Sequence, residues 1–195
     1  MRRASRLASV LAVLVTAVGP ALADGQIATI ITPADQARLD AYEGTRIDAL
    51  KQARAEGDAG DIAVLDAVTA RRDIPWQGFD ITGKWKCRTI KAGKLAALVV
   101  YGWFDCAVTD EGSGWHLRKL TGSQRTAGRF FDDGEARMTY LGVGTVNDDP
   151  APPYGSGPQS DEPGYAFRND NNGWRIEFPA PYYESMLDIL EFRRR

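Results

Sequence analysis

The chain has 195 residues, with 24 basic and 26 acidic side chains, one histidine and two cysteines. A single histidine excludes zinc sites built on two or three imidazoles, and the acidic balance argues against nucleic acid or anionic membrane surfaces, which attract clustered Lys and Arg. The length suffices for one ordinary domain with its own core.

At the N-terminus, Arg2, Arg3 and Arg6 precede the mainly apolar run Leu7 to Val18, and Ala21-Leu22-Ala23 has the small-x-small pattern of a signal-peptidase site. These features predict a signal peptide over residues 1–23, cut before Asp24, and a periplasmic or secreted location; the alternative is an uncleaved anchor. No later segment stays apolar for the ~20 residues of a bilayer span. No cysteine ends the apolar run, so a lipid anchor has nothing to attach to. Cleavage would remove three arginines and no acids, leaving a formal charge of −5.

Residues 24–79 read as a helical segment of two helices. Thr32 before Pro33, with Asp35 three positions after Thr32, is an N-cap with proline at the first helical position. Leu39, Tyr42, Ile47, Leu50 and Ala53 then form an apolar stripe ending near Gly57, and Ile62, Leu65 and Val68 form a second, shorter one. Both are expected to pack on the chain's own domain, and Pro75 and Gly78 read as the linker that follows.

From Thr82 the period becomes alternating. Trp85, Cys87 and Thr89 share one face of a first strand, and Lys84, Lys86 and Arg88 the other. A second strand, Leu98 to Val108, is apolar on both faces, with Val100, Phe104 and Cys106 opposite Val99, Tyr101 and Trp103; it needs a cover, which the helices can supply. Further strands are expected at 115–120, 125–131, 137–146, 165–168, 174–178 and 187–192, although Met186 to Leu190 would also tolerate a helix. The connectors Asp110 to Gly114, Asp132-Asp133-Gly134 and Asn169 to Gly173 are turn chemistry. Eight short strands in meander order predict a small closed antiparallel barrel over residues 80–195, a mainly β (α+β) fold. Trp85, following Gly83 at the start of the first strand, is expected to point inward as a structural anchor near one barrel end.

In an exported protein, Cys87 and Cys106 are expected to pair, with two buried thiols as the alternative. The turn at Ala92-Gly93-Lys94 is not centred between them, so a bulge or an asymmetric loop is needed to bring the Cα atoms within about 7 Å. Residues 147–163 form a proline-rich loop whose Tyr154-Gly155 could cover a barrel mouth. Its acids Asp148, Asp149, Asp161 and Glu162 lack the ordered spacing of a calcium loop.

Catalytic signatures are absent. No Gly-x-Ser-x-Gly turn precedes a helix, no Gly-rich loop opens one, no Cys-x-x-Cys pair exists, and His116 reads as an ordinary strand residue. No metal site and no cofactor is expected. The polar cluster Lys119 to Arg125 either forms a tight turn or lines a site; in the second case Thr121, Ser123, Gln124 and Arg125, with Tyr154, are the candidate ligand-binding residues.

Gly83-x-Trp85 ahead of seven further strands resembles the opening of calycin or lipocalin-like barrels. The longer string Trp85 to Lys91, Val99 to Cys106, Lys119 to Arg125, Tyr140-Leu141-Gly142 and Tyr183-Glu184-Ser185 resembles the bacterial exported family known as domain of unknown function 4893. That resemblance implies a bacterial envelope protein and brings no catalytic residues with it.

Three functions follow as expectations. The first is a non-catalytic, monomeric binding module for a small apolar or amphipathic molecule held in the barrel. The second is a module that binds an envelope protein, such as an inhibitor of an envelope-directed hydrolase. The third is a carboxylate-based hydrolase, for which sequence cannot show the spacing of the acids.

Overall fold

The computed structural model describes residues 24–195; the signal-peptide reading of residues 1–23 lies outside the described residues. Nine antiparallel strands follow four helices. The strands are β1 (Gly83–Ala92), β2 (Leu98–Val100), β3 (Phe104–Asp110), β4 (Trp115–Lys119), β5 (Gln124–Asp132), β6 (Arg137–Val146), β7 (Asp161–Arg168), β8 (Gly173–Pro179) and β9 (Leu187–Arg194). From β3 to β9 each strand pairs with the next, β1 pairs with β3, and β9 returns to β1 from Trp85↔Arg194 to Ala92↔Leu187. Eight strands therefore close a barrel, and β2 is an extra piece on the edge of β1. Closure pairs each of the eight barrel strands on both sides over at least part of its length. The segment 187–194 is a strand and not a helix, because Leu187 and Ile189 go to one buried face and Leu190 and Phe192 to another.

The expected single strand Leu98 to Val108 is broken at Tyr101-Gly102-Trp103. Residues 98–100 pair with β1 in the register Lys91↔Val99, whereas residues 104–108 pair in the register Trp85↔Cys106, one residue out of step. This one-residue shift inverts the alternation. Leu98 and Val100 face outward under the helices, and Phe104 and Cys106 face into the barrel, so Val100 does not share a face with them. The break also supplies the asymmetry that the cysteines require. Cys87 and Cys106 are diagonal neighbours across β1 and β3 and form a disulfide with a Cα–Cα separation of 6.0 Å.

The helices are α1 (Asp24–Ile30), α2 (Pro33–Asp40), α3 (Tyr42–Glu56) and α4 (Ala59–Thr69), where two were expected. The Thr32 hydroxyl accepts from Asp35 N at 3.2 Å, as its capping position requires. At Ala41 the backbone flattens to ψ 1°, its N–H is shared between Ala37 and Leu39, and the helix ends and restarts. Ile47 is 63% exposed and outside the buried stripe. Its neighbour Arg46 takes the inward position and binds Glu177 at 2.7 Å, an exchange of aliphatic for guanidinium that a hydrophobicity pattern cannot register.

The helices cover the outside of one barrel wall. Leu39 and Tyr42 pack on Tyr165 and Phe167 of β7, while Ala49, Leu50, Ala53, Leu65 and Val68 pack on Ile90, Ala92, Leu187 and Ile189. Beneath them Glu177 is fully buried and accepts from Tyr42 Oη (2.8 Å), Arg46 Nε (2.7 Å) and Arg175 Nε (2.6 Å). Burial works against its charge, but Arg175 and Arg46 outweigh it and hold the carboxyl below its ordinary range.

Inside, the barrel has two unlike halves. One end is filled. Trp85, wholly buried, donates its indole N–H to Ile81 O at 2.7 Å, meets Trp174 edge-on at 5.7 Å, and carries the Arg194 guanidinium over its ring at 4.2 Å. Trp174 stacks on Phe192 at 3.6 Å, and Phe130, Met138 and Leu117 complete the plug. Gly83, with φ +112°, occupies a conformation that a side chain would resist, and it lets the chain turn into β1. Tyr140 marks the border: its ring packs on Phe130 and Phe178, and its hydroxyl pairs with Thr126 Oγ1 at 2.9 Å. Beyond that hydroxyl charged and polar side chains enter the interior beside Phe178 and Leu190.

Candidate functional site

The polar half opens at the end of the barrel where β1, β4, β6 and β8 finish and β5, β7 and β9 begin. Inward-facing positions continue the alternation set by the core: Cys87 leads to Thr89 and Lys91 on β1, Leu117 to Lys119 on β4, and Ala166 back to Glu162 on β7. On β5 and β9, Phe130 and Leu190 lead back to Thr126 and Asp188. The same periodicity that fills one end with aromatics thus delivers charges to the other.

Two adjoining cavities result, an inner one of about 60 Å³ and an outer one of about 220 Å³. Both are lined by Arg38, Gln124, Arg125, Glu162, Pro181 and Asp188. Lys119, Thr89, Thr126 and Phe178 line only the inner one, whereas Lys91, Gly144, Gln159 and the exposed Tyr182 and Tyr183 line only the outer one.

Arg38 reaches the cavity from α2 through a gap in the wall. The β7–β8 ladder runs from Arg168↔Trp174 to Tyr165↔Glu177 and stops short of Pro163 and Pro179, which have no N–H to donate. In the unpaired seam Arg38 donates to Asp161 O at 2.7 Å and to Pro179 O at 3.3 Å. It stands in for the missing ladder and brings a cation to the mouth.

Burial is the largest influence on Glu162 and pushes its carboxyl up to about 7, with Asp188 adding to the rise and Thr126, Arg38 and Lys119 opposing it. Gly144 makes room for it, since a Cβ there would lie 2.7 Å from Glu162 Oε1. Asp188 is also raised by burial, against a hydrogen bond from the Ser185 hydroxyl. Lys119 is 8% exposed, its Nζ lies 3.3 Å from Thr89 Oγ1 and 4.4 Å above the Phe104 ring, and burial pushes it down to about 8. Among the described residues no carboxylate lies within ion-pair distance of Lys119. Lys91 differs: burial opposes its charge, yet its bond to Glu184 and the nearby Asp188 hold it above its ordinary value. The β8–β9 loop that carries Glu184 is strained at two positions, Ala180 (φ +46°) and Glu184 (φ +21°).

Of the residues expected to bind a ligand, Gln124 and Arg125 line both cavities. Arg125 is steadied by Gly122 O at 3.0 Å and Asp148 at 2.7 Å. Thr121 and Ser123 belong to the β4–β5 turn: the Thr121 hydroxyl accepts from Asp105 N, and Ser123 O from Asn147 N. Tyr154 lies apart from the cavity lining and donates to Asp35 Oδ2 at 2.6 Å, tying its loop to α2. Asp161 accepts from Gly155 N and Gly157 N, both at 3.1 Å, and braces the same loop from within; Pro158 and Gln159 are the loop residues at the outer cavity. Lys119 opens the polar cluster that was expected to form a turn or line a site, though it was not among the named candidates; Arg38, Lys91, Glu162 and Asp188 were unforeseen as lining. A lysine at an inward register and a lone acid within Leu187-Asp188-Ile189 were the available signals.

Residues 28–192 match the family described as a domain of unknown function, DUF4893. The chain belongs to that family. Neither a curated protein nor a solved structure matches it. Among the described residues of this DUF4893 protein, no group of three or more His, Cys, Asp or Glu could hold a metal, and no helix is long and apolar enough to cross a membrane. What the arrangement can do chemically is present charge of both signs, poorly paired, to a small molecule entering from one end.

Proposed function

We propose that this DUF4893 protein is an exported binding module whose ligand is a small polar molecule held in the barrel mouth. The carrying observation is the division of the interior: the apolar half is filled by Trp85, Trp174 and Phe192, and the space left open is walled by Lys119, Glu162, Asp188 and Arg38 among apolar residues such as Phe178 and Leu190. Apolar surface gains from dry, apolar surroundings, whereas a cavity lined by charge favours a solute able to replace the lost hydration. This reading departs from the apolar or amphipathic ligand that the barrel alone suggested. The Gly83-x-Trp85 opening and eight-strand closure support a lipocalin-like architecture with one end sealed and the other available.

A second reading rests on Glu162 and Lys119. A carboxyl pushed up to about 7 and an amine pushed down to about 8 in one cavity can donate and accept protons near neutrality, which is what a hydrolase built on general acid–base chemistry needs.

Native mass spectrometry of protein purified from the host envelope tests both the location and the ligand. The expected result is a chain beginning at Asp24 that carries a small, water-soluble adduct. A full-length cytoplasmic chain would overturn export, and a retained lipid would overturn the polar ligand.

A further inference from the structure

We infer that the mouth chamber recognises a small zwitterion, a molecule with a protonated amine at one end and a carboxylate or similar anion at the other, such as an amino acid or a peptide terminus. The inference rests on the binding reading above and names the ligand class for that site.

The argument starts from which charges are already satisfied. At the rim Lys91 has Glu184, Arg125 has Asp148, and Arg38 is held by two main-chain carbonyls. Three deeper groups are not so provided. Lys119 is more than nine-tenths buried, lines the inner cavity, and has only a hydroxyl at 3.3 Å and an aromatic face for company. Glu162 has the Thr126 hydroxyl, and Asp188 has the Ser185 hydroxyl with Lys91 opposite it on β1; neither carboxylate forms an ion pair within 4.0 Å with a cation of the wall. A buried ion with a neutral partner is incompletely compensated.

The placement of these groups gives the ligand its shape. Lys119 is on β4 and Glu162 on β7, three strand steps apart along the wall at roughly 4.8 Å per step, both projecting inward. Asp188 sits on β9, next to β7's other neighbour β8, so the two carboxylates share one side of the chamber. Cation and acids thus face each other across a gap that they do not close themselves. An amine between Glu162 and Asp188 and an anion on Lys119, with Arg125 of the neighbouring β5 on its side, would complete all three groups at once. The inner volume of about 60 Å³ admits only a short spacer between the two ends, and any longer remainder would extend past Gln124 toward Tyr182 and Tyr183.

The test is calorimetric titration of the mature chain with glycylglycine and β-alanine, against propylamine, propionate and xylose as controls. The zwitterions should bind, while the amine and the acid alone should each be weaker by about ten- to a hundredfold, the range set by one charge-assisted hydrogen bond. Glu162→Gln and Lys119→Met, each checked for an unchanged circular-dichroism spectrum, should lose zwitterion binding by a similar factor. If Lys119→Met does not fold, the isosteric Glu162→Gln variant carries the test. Equal binding of propylamine or propionate, or wild-type affinity in Glu162→Gln, would overturn the inference. Xylose bound in place of the zwitterions would overturn it too, yet leave the polar-ligand reading standing. A lipid as the sole bound species would end both.

Discussion

Glu162 offers a direct physical check on the chamber, because its environment makes stability depend on pH with an unusual sign. The unfolded chain releases this proton near 4.5, whereas burial in the folded chain delays release to about 7. Between those values the native state holds a proton that the unfolded state has lost, so stability falls as pH rises. The difference corresponds to about 3 kcal/mol across the window. Asp188, also raised, acts in the same direction. Lys119 gives the opposite limb: native Lys119 deprotonates near 8 and the unfolded side chain near 10.5, so between these values the unfolded state binds more protons and stability recovers as pH rises. The contribution of these groups therefore passes through a minimum between about 7 and 8. The assay is urea denaturation from pH 4 to 10 on the wild type and Glu162→Gln. Subtracting the two curves isolates Glu162 from His116 and from the paired carboxylates, which titrate in both proteins. The difference should grow from pH 4.5 to 7 in favour of the variant and then level off. Parallel curves would show that the Glu162 carboxyl is solvated, and the polar chamber described here would not exist in solution.

Two further outcomes are expected. Cys87 and Cys106 are 19 residues apart in sequence, so replacing both by alanine should cost about 3 kcal/mol by loop entropy and lower the urea midpoint; two titratable thiols in unreduced, denatured protein would contradict the bond. Trp85→Ala should lose about 3–5 kcal/mol by opening a cavity in the sealed end and orphaning Ile81 O, bringing the domain near its folding threshold; an unchanged urea midpoint would mean that the indole is not buried.

The strands were legible because alternation is a short-range signal and Gly- and Asp-rich turns punctuate it. The register shift at Tyr101-Gly102-Trp103 was not, since those residues are apolar on either side of the break and pattern alone cannot place an extra residue. The extension of β7 back to Asp161 was likewise hidden by Pro163, which reads as loop but sits where its side of the ladder has ended. Gln124 and Arg125 were legible as lining of this barrel end because a polar turn at a barrel end stands near whatever cavity that end holds. Thr121 and Ser123, from the same turn, spend their polar groups on the main chain instead. Arg38 could not have been found from sequence: on α2 it reads as a solvated helix residue, and its place at the mouth depends on two prolines more than 120 positions away.

The strongest reason to treat the chamber charges as functional is the contrast with charges elsewhere in the same barrel. Glu177 is buried with three donors, and Glu191 is bound by Arg88 at 2.6 Å and Arg71 at 3.1 Å. These outward-facing carboxylates fasten the helices and the Arg71 segment to the wall, and each has the partners that burial demands. The fold therefore satisfies buried ions where they serve structure. Lys119 is nearly as buried, Glu162 and Asp188 are half-buried, and none of the three has an ion-pair partner within 4.0 Å among the described residues, at inward positions where a leucine or valine would extend the aromatic plug and add stability. A wall that gives up this stability at its open end, around a cavity of about 220 Å³, is the pattern that the proposed binding of a solute from outside would require.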